Sequence, residues 1–149
     1  MRRTLVWRGT ALPLMEIAEA EVTRDGLSAR GTQIGVAYEL RYELVPGRLR
    51  AEVQGGPRID IGLDGADYFD LGYSPLFNSL PLLDGLEAAT DFVMAFVAVP
   101  SLEVSRSDQR YEPLGDGAVR YSSGSFVAQI EFDSDGFVTR YESLAERVG

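Results

Sequence analysis

The chain has 149 residues, 45% of them hydrophobic and 25% charged, with a net charge of −9. That length suits one domain with a real core, here taken as residues 1–149. The acidic balance excludes the basic footprint that nucleic acid requires and electrostatic docking on an anionic membrane. The chain also contains no Cys, His or Lys. This removes disulfides, thiolate and imidazole metal ligands, Ser-His-Asp and Cys-His machinery, and Schiff-base chemistry. Carboxylates, tyrosines, serines and oxygen-only metal ligation remain.

Arg2-Arg3 precede only Leu5-Val6-Trp7. That apolar run is too short for a signal peptide, and no stretch approaches a membrane span, so a cytoplasmic chain is expected. Residues 17–22 read as a strand with Ala18, Ala20 and Val22 inward, closed by Arg24-Asp25-Gly26. Val36, Tyr38, Leu40, Tyr42 and Leu44 share one face of a second strand, with Glu39, Arg41 and Glu43 on the other. Pro46-Gly47 turns the chain into Leu49, Ala51 and Val53, and Ile59, Ile61 and Leu63 alternate in the same way.

Residues 64–81 break this pattern and read as neither helix nor strand. They hold Asp64, Asp67, Asp70, Tyr68, Phe69, Tyr73, Phe77, two prolines and Asn78, the single asparagine of the chain. Ser74-Pro75 has the form of a helix N-cap followed by Pro, but Pro81 limits any helix to two turns. With Asp60, the acids form a run. Counting twelve positions from Asp60 or Asp64 reaches Leu71 or Pro75 rather than Glu, so the EF-hand pattern fails. No cofactor and no metal is expected, the acids serving to cap turns and face water, with a looser Ca²⁺ or Mg²⁺ site as the lesser alternative. Asp67 and Asp70 over Tyr68 and Tyr73 also suit paired-carboxylate glycoside chemistry, which depends on their separation. Asn78 either pins the loop or offers a donor and an acceptor to a ligand hydroxyl.

Residues 92–99 are apolar on both faces: Phe92, Met94 and Phe96 point one way, Val93, Val97 and Val99 the other. Such a strand must be covered twice. Either other elements cover both faces, or one face lines an apolar ligand cavity. Phe126, Ala128, Ile130 and Phe132 alternate in a further strand, and Asp133-Ser134-Asp135-Gly136 turns it into residues 137–141. Residues 144–148 suit a last helical turn. Tyr38, Tyr42, Tyr68, Tyr73, Tyr111, Tyr121 and Tyr141 form an aromatic set, mostly core or core edge, with one or two suited to stack on a sugar or steroid-like ring. Together the elements predict a mainly β domain with little helix: a sandwich, a barrel or one strongly curved antiparallel sheet.

Leu63-Asp64-Gly65, Asp67, Asp70-Leu71, Ser74-Pro75, Asn78 and Leu80-Pro81 resemble a bacterial family named for glycolipid binding, formerly a domain of unknown function. Val99-Pro100-Ser101-Leu102-Glu103-Val104, Gln109-Arg110-Tyr111 and Asp133 to Val138 continue the likeness. The chain departs from that family at Leu82-Leu83-Asp84, where members carry a basic pair, and in a middle shortened to Gln54-Gly55-Gly56-Pro57. The resemblance implies a curved antiparallel sheet forming an incomplete, open barrel similar to bacterial lipoprotein carriers. It also implies an amphipathic or lipid-like small molecule as partner. On this reading Phe92, Met94 and Phe96 form apolar walls, and Asp67, Asp70, Tyr73 and Asn78 orient the ligand at the mouth. Two alternatives stand: a homodimer through unpaired sheet edges, and a hydrolase or isomerase working with Asp67 or Asp70 and tyrosine.

Overall fold

A computed structural model describes residues 1–149. The first half is a meander: β1 (Arg2–Gly9), β2 (Met15–Thr23), β3 (Gly26–Ile34), β4 (Glu39–Val45), β5 (Arg48–Val53) and β6 (Arg58–Gly62). Next come β7 (Tyr68–Leu71) and two single-turn helices, α1 (Pro75–Asn78) and α2 (Leu80–Leu83). A second meander follows: β8 (Thr90–Val97), β9 (Val104–Gly115), β10 (Ala118–Ser123), β11 (Phe126–Phe132), β12 (Val138–Tyr141) and β13 (Ala145–Arg147). All 13 strands lie in one sheet, in the order β6-β5-β4-β3-β2-β1-β13-β12-β11-β10-β9-β8-β7. Its two edges, β6 and β7, are consecutive in the chain but not hydrogen-bonded to each other. The result is one strongly curved sheet, mainly β and almost without helix: an incomplete, open barrel.

Period-2 burial explains most of these strands. Leu40, Tyr42 and Leu44 of β4, Leu49, Ala51 and Val53 of β5, and Ala128 and Ile130 of β11 are buried. Thr23 pairs with Gly26 and Val45 with Arg48, so Arg24-Asp25 and Pro46-Gly47 are two-residue hairpin loops. Three sequence expectations need correction. Val36 and Tyr38 precede β4 instead of belonging to it, and Val36 is 81% exposed. Residues 145–147 form β13 and not a helical turn, because they bridge β1 on one side and β12 on the other. The stretch 64–81 contains β7, whose Tyr68-Phe69-Asp70-Leu71 runs parallel to β8, the one parallel pair in an otherwise antiparallel sheet. A parallel partner needs a crossover, and residues 72–89 with α1 and α2 supply it.

The register shows how the strand that is dry on both faces is covered. One inward face runs continuously from Ile59 and Ile61 through Leu49, Leu44, Ala29, Ala20, Leu5 and Trp7. It continues through Tyr141, Ala128, Tyr121 and Tyr111 to Met94 and Tyr68. The reverse face of the last two strands carries Phe69, Leu71, Ala95 and Val97, which are buried among Leu5, Trp7, Leu40 and Leu49. The sheet is therefore rolled, with its β7–β8 edge tucked inside. This edge divides the interior into a core against β1–β6 and a smaller one holding Met94, Tyr111, Tyr121, Ile130 and Tyr141.

Candidate functional site

Three features occupy the region around β7 and β8: two buried polar networks and an open groove.

The first network centres on Glu16, 1% exposed, on the inward parity of β2. Gln33 Nε2 donates to its Oε1 at 3.0 Å. Tyr42 Oη at 2.9 Å and Ser74 Oγ at 2.7 Å donate to its Oε2. Tyr42 reaches across β3 because Gly31 lies beneath its ring; a Cβ there would stand 2.2 Å from Tyr42 Cζ. Gln33 Nε2 also donates to the Gly72 carbonyl (3.1 Å) and its Oε1 accepts from Tyr38 Oη (2.6 Å). Ser74 sits at the N-cap of α1 and Pro75 follows as expected, but its hydroxyl makes no cap bond and serves Glu16 instead. Burial raises the Glu16 pKa to about 7, its three hydrogen bonds offsetting only part of the cost.

The second network centres on Asp70, 8% exposed. Gln109 Nε2 donates to its carboxylate at 2.7 Å, Tyr111 Oη donates to Gln109 Oε1 at 3.2 Å, and Asn78 Nδ2 donates to Tyr111 Oη at 3.0 Å. Burial raises the Asp70 pKa to about 6. The rings of Tyr68, Phe92, Tyr111 and Tyr121 meet edge to face in a chain, with centroids 5.3–5.7 Å apart.

The residues singled out from sequence thus fall into distinct places. Asp70, Asn78, Phe92 and Met94 are brought together around this second network, as packing and hydrogen-bonding partners of one another's neighbours. Asn78 pins the crossover, through Tyr111 and not through its own backbone. Phe96, half-buried, stands beside Asp70 in the register. Asp67 lies apart, just before β7, accepting the Val93 backbone N–H at 2.8 Å and so tying the start of β7 to the middle of β8. Asp67 and Asp70 are not a facing pair: one is exposed and the other buried. Tyr73 is 40% exposed, near Tyr38. In the acidic run, Asp60 pairs with Arg48 and Arg50 on the outer surface. Glu16, Gln33 and Gln109 escaped sequence reasoning. The signal was parity, since Glu16 shares the inward register of Ala18 and Ala20.

The third feature is the seam itself. Where the β6 edge approaches the reverse face of β8 and β9, the larger core opens into a groove of about 880 Å³. Its walls are Ile61, Leu63 and Ala66 on one side and Val93, Ala95 and Val104 on the other, with Asp64, Ser105 and Arg106 also lining it. Ile61, Leu63 and Ala66 pack on the core at the same time. The turn Asp64-Gly65, with both residues at positive φ, shapes one wall. Of the residues expected from sequence to contact a ligand, Met94 alone lines the groove.

This is a rolled open-barrel protein with an apolar seam. Residues 50–147 match the family described as "Putative glycolipid-binding", and the chain belongs to that family. The crystal structure of a DUF1089 family protein from Pseudomonas aeruginosa at 1.80 Å resolution is similar in fold, with a TM-score of 0.60 and 23% identity. The match covers 93% of this chain and 80% of that one. No curated protein matches the chain.

Proposed function

We propose that the chain binds an amphipathic, glycolipid-like small molecule without covalent chemistry, and that its apolar chain lies in the seam groove. The observation that carries this reading is the groove: about 880 Å³, with hydrophobic residues providing 7 of its 12 lining positions. Small-molecule sites span roughly 300–1,000 Å³ and combine apolar walls with few polar groups. Each methylene buried there contributes about 0.8 kcal/mol. The family description supports the ligand class. Leu63, Asp64 and Gly65, which carry the sequence resemblance, form part of the wall. Phe92, first considered as a wall, packs on Tyr68 and Tyr111 instead, so the ligand face of β8 is the one bearing Val93 and Ala95. The buried acids Glu16 and Asp70 face their own donors.

Native mass spectrometry of the purified protein tests this. A bound species of several hundred daltons, released on denaturation and lost in Val104→Glu, is the expected result. An unliganded mass in both proteins, after incubation with a total lipid extract, contradicts it.

A further inference from the structure

We propose that the headgroup of this ligand is uncharged and hydroxyl-rich, a glycosyl group, and that it sits in a polar hollow adjoining the groove on the outer face of β8, β9 and β10. The inference rests on the groove reading above. The hollow measures about 350 Å³ and adjoins the groove, sharing Val93 and Arg106 with it.

The register lays out a gradient along two strands. On β8 the outer face runs from Asp91 through Val93 to Ala95, and on β9 from Arg110 through Asp108 and Arg106 to Val104. The six steps of strand from Asp91 to Val97 cover about 20 Å. That length accommodates a polar head followed by an alkyl chain.

Charge selects the head. The hollow holds two arginines and two aspartates, already paired: Arg110 Nη1 lies 3.1 Å from Asp91 Oδ1, and Arg106 Nε lies 3.0 Å from Asp108 Oδ1. No surplus positive charge faces a phosphate or sulfate, and the chain's net charge of −9 repels one. Only part of each guanidinium and carboxylate is used by its pair, leaving N–H donors and lone pairs side by side. Ser122 and Ser123 add hydroxyls to the wall, and Ser123 Oγ donates to the Asp108 carbonyl at 2.8 Å. Alternating donors and acceptors suit the vicinal hydroxyls of a sugar, which both donate and accept.

The test uses two probes with the same chain, dodecyl maltoside and dodecyl phosphate, each below its micelle-forming concentration, titrated into the full-length protein by calorimetry and by amide NMR. Dodecyl maltoside is expected to bind at least tenfold more tightly and to shift amides of residues 107–110 and 122–124 as well as those of the groove. In the double variant Asp91→Asn/Asp108→Asn both arginines lose their partners, and the preference reverses toward dodecyl phosphate. These aspartates are 77% and 74% exposed in their side chains, so the variant folds, as native Trp7 fluorescence will show. Equal binding of the two probes, or shifts confined to the groove amides, overturns the headgroup inference and leaves the groove reading standing. Binding of neither probe, or binding of both that survives Val104→Glu, overturns the groove reading and the headgroup inference with it.

Discussion

Glu16 makes the stability of this protein fall as pH rises. Its ordinary pKa of 4.5 becomes about 7 in the folded chain because burial disfavours the carboxylate. Below about pH 4.5 the acid is protonated in both folded and unfolded states and contributes nothing to the pH dependence. Between 4.5 and 7 the unfolded state loses its proton first, so the folded state binds more protons and stability declines with pH. Above 7 the loss is complete. At 1.36 kcal/mol per unit, it amounts to about 3 kcal/mol. Asp70, raised from 3.8 to about 6 by burial, acts in the same direction over a lower window. Glu16→Gln keeps the shape and offers an amide that both accepts and donates, while the hydroxyls of Tyr42 and Ser74 can turn to accept. Urea unfolding followed by Trp7, the single tryptophan and 1% exposed, reports the transition. Between pH 5 and 8 the wild type is expected to lose about 3 kcal/mol. Most of that loss is expected to vanish in Glu16→Gln, which becomes the more stable protein at pH 8. Equal slopes in the two proteins, or a wild type that gains stability across this range, would refute the assignment.

Other outcomes follow from single contacts. Gly31→Ala places a methyl 2.2 Å from the Tyr42 ring and is expected to cost about 1–3 kcal/mol by overpacking; the loss, read by thermal unfolding, should shrink in a Tyr42→Leu background. Tyr111→Phe leaves Asn78 Nδ2 and Gln109 Oε1 without a buried partner and is expected to cost about 2 kcal/mol, measured by urea midpoint at constant m. Asp133 accepts from Arg147 Nη1 at 2.7 Å and from the backbone N–H of Asp135 and Phe137 at 3.0 Å. Asp133→Ala is expected to cost about 2 kcal/mol. The hydrogen bond from Arg147, and those from the Phe137 and Asp135 backbone N–H groups, outweigh desolvation and hold the Asp133 pKa below its ordinary 3.8. Its contribution is therefore present above that value and lost as pH falls through the folded pKa, so acid titration separates it from Glu16.

Strand alternation was legible wherever one face meets water. Leu40, Tyr42 and Leu44 against Arg41 and Glu43 define β4 and its facing without any tertiary information. The apolar character of β8 on both faces correctly required two covers, but nothing local says that the cover is the sheet itself, rolled until Phe69, Leu71, Ala95 and Val97 reach the core of β1–β6. β7 was hidden because its four residues are held by β8, 26 positions along the chain, and β13 because three residues carry too little periodicity to outweigh a helical reading. The site was legible only in part. Asp70 and Asn78 stood out by type, yet their partners Gln109 and Tyr111 lie on a strand that pairs with β8 from the other side. Aromatic size drew attention to Phe92 and Phe96, whereas the groove opens beside the smaller Val93 and Ala95 on the opposite face. Size signals packing as readily as ligand contact, and the register decides between them.

The most direct test of the seam as a binding site is paramagnetic broadening by a dodecyl maltoside that carries a nitroxide at its chain terminus. Selective loss of amide signals in residues 61–66, 93–95 and 104–106, with those of Asn78, Tyr111 and Tyr121 intact, is the predicted result. Broadening centred on the inner aromatic cluster, or spread evenly over the surface, would contradict it.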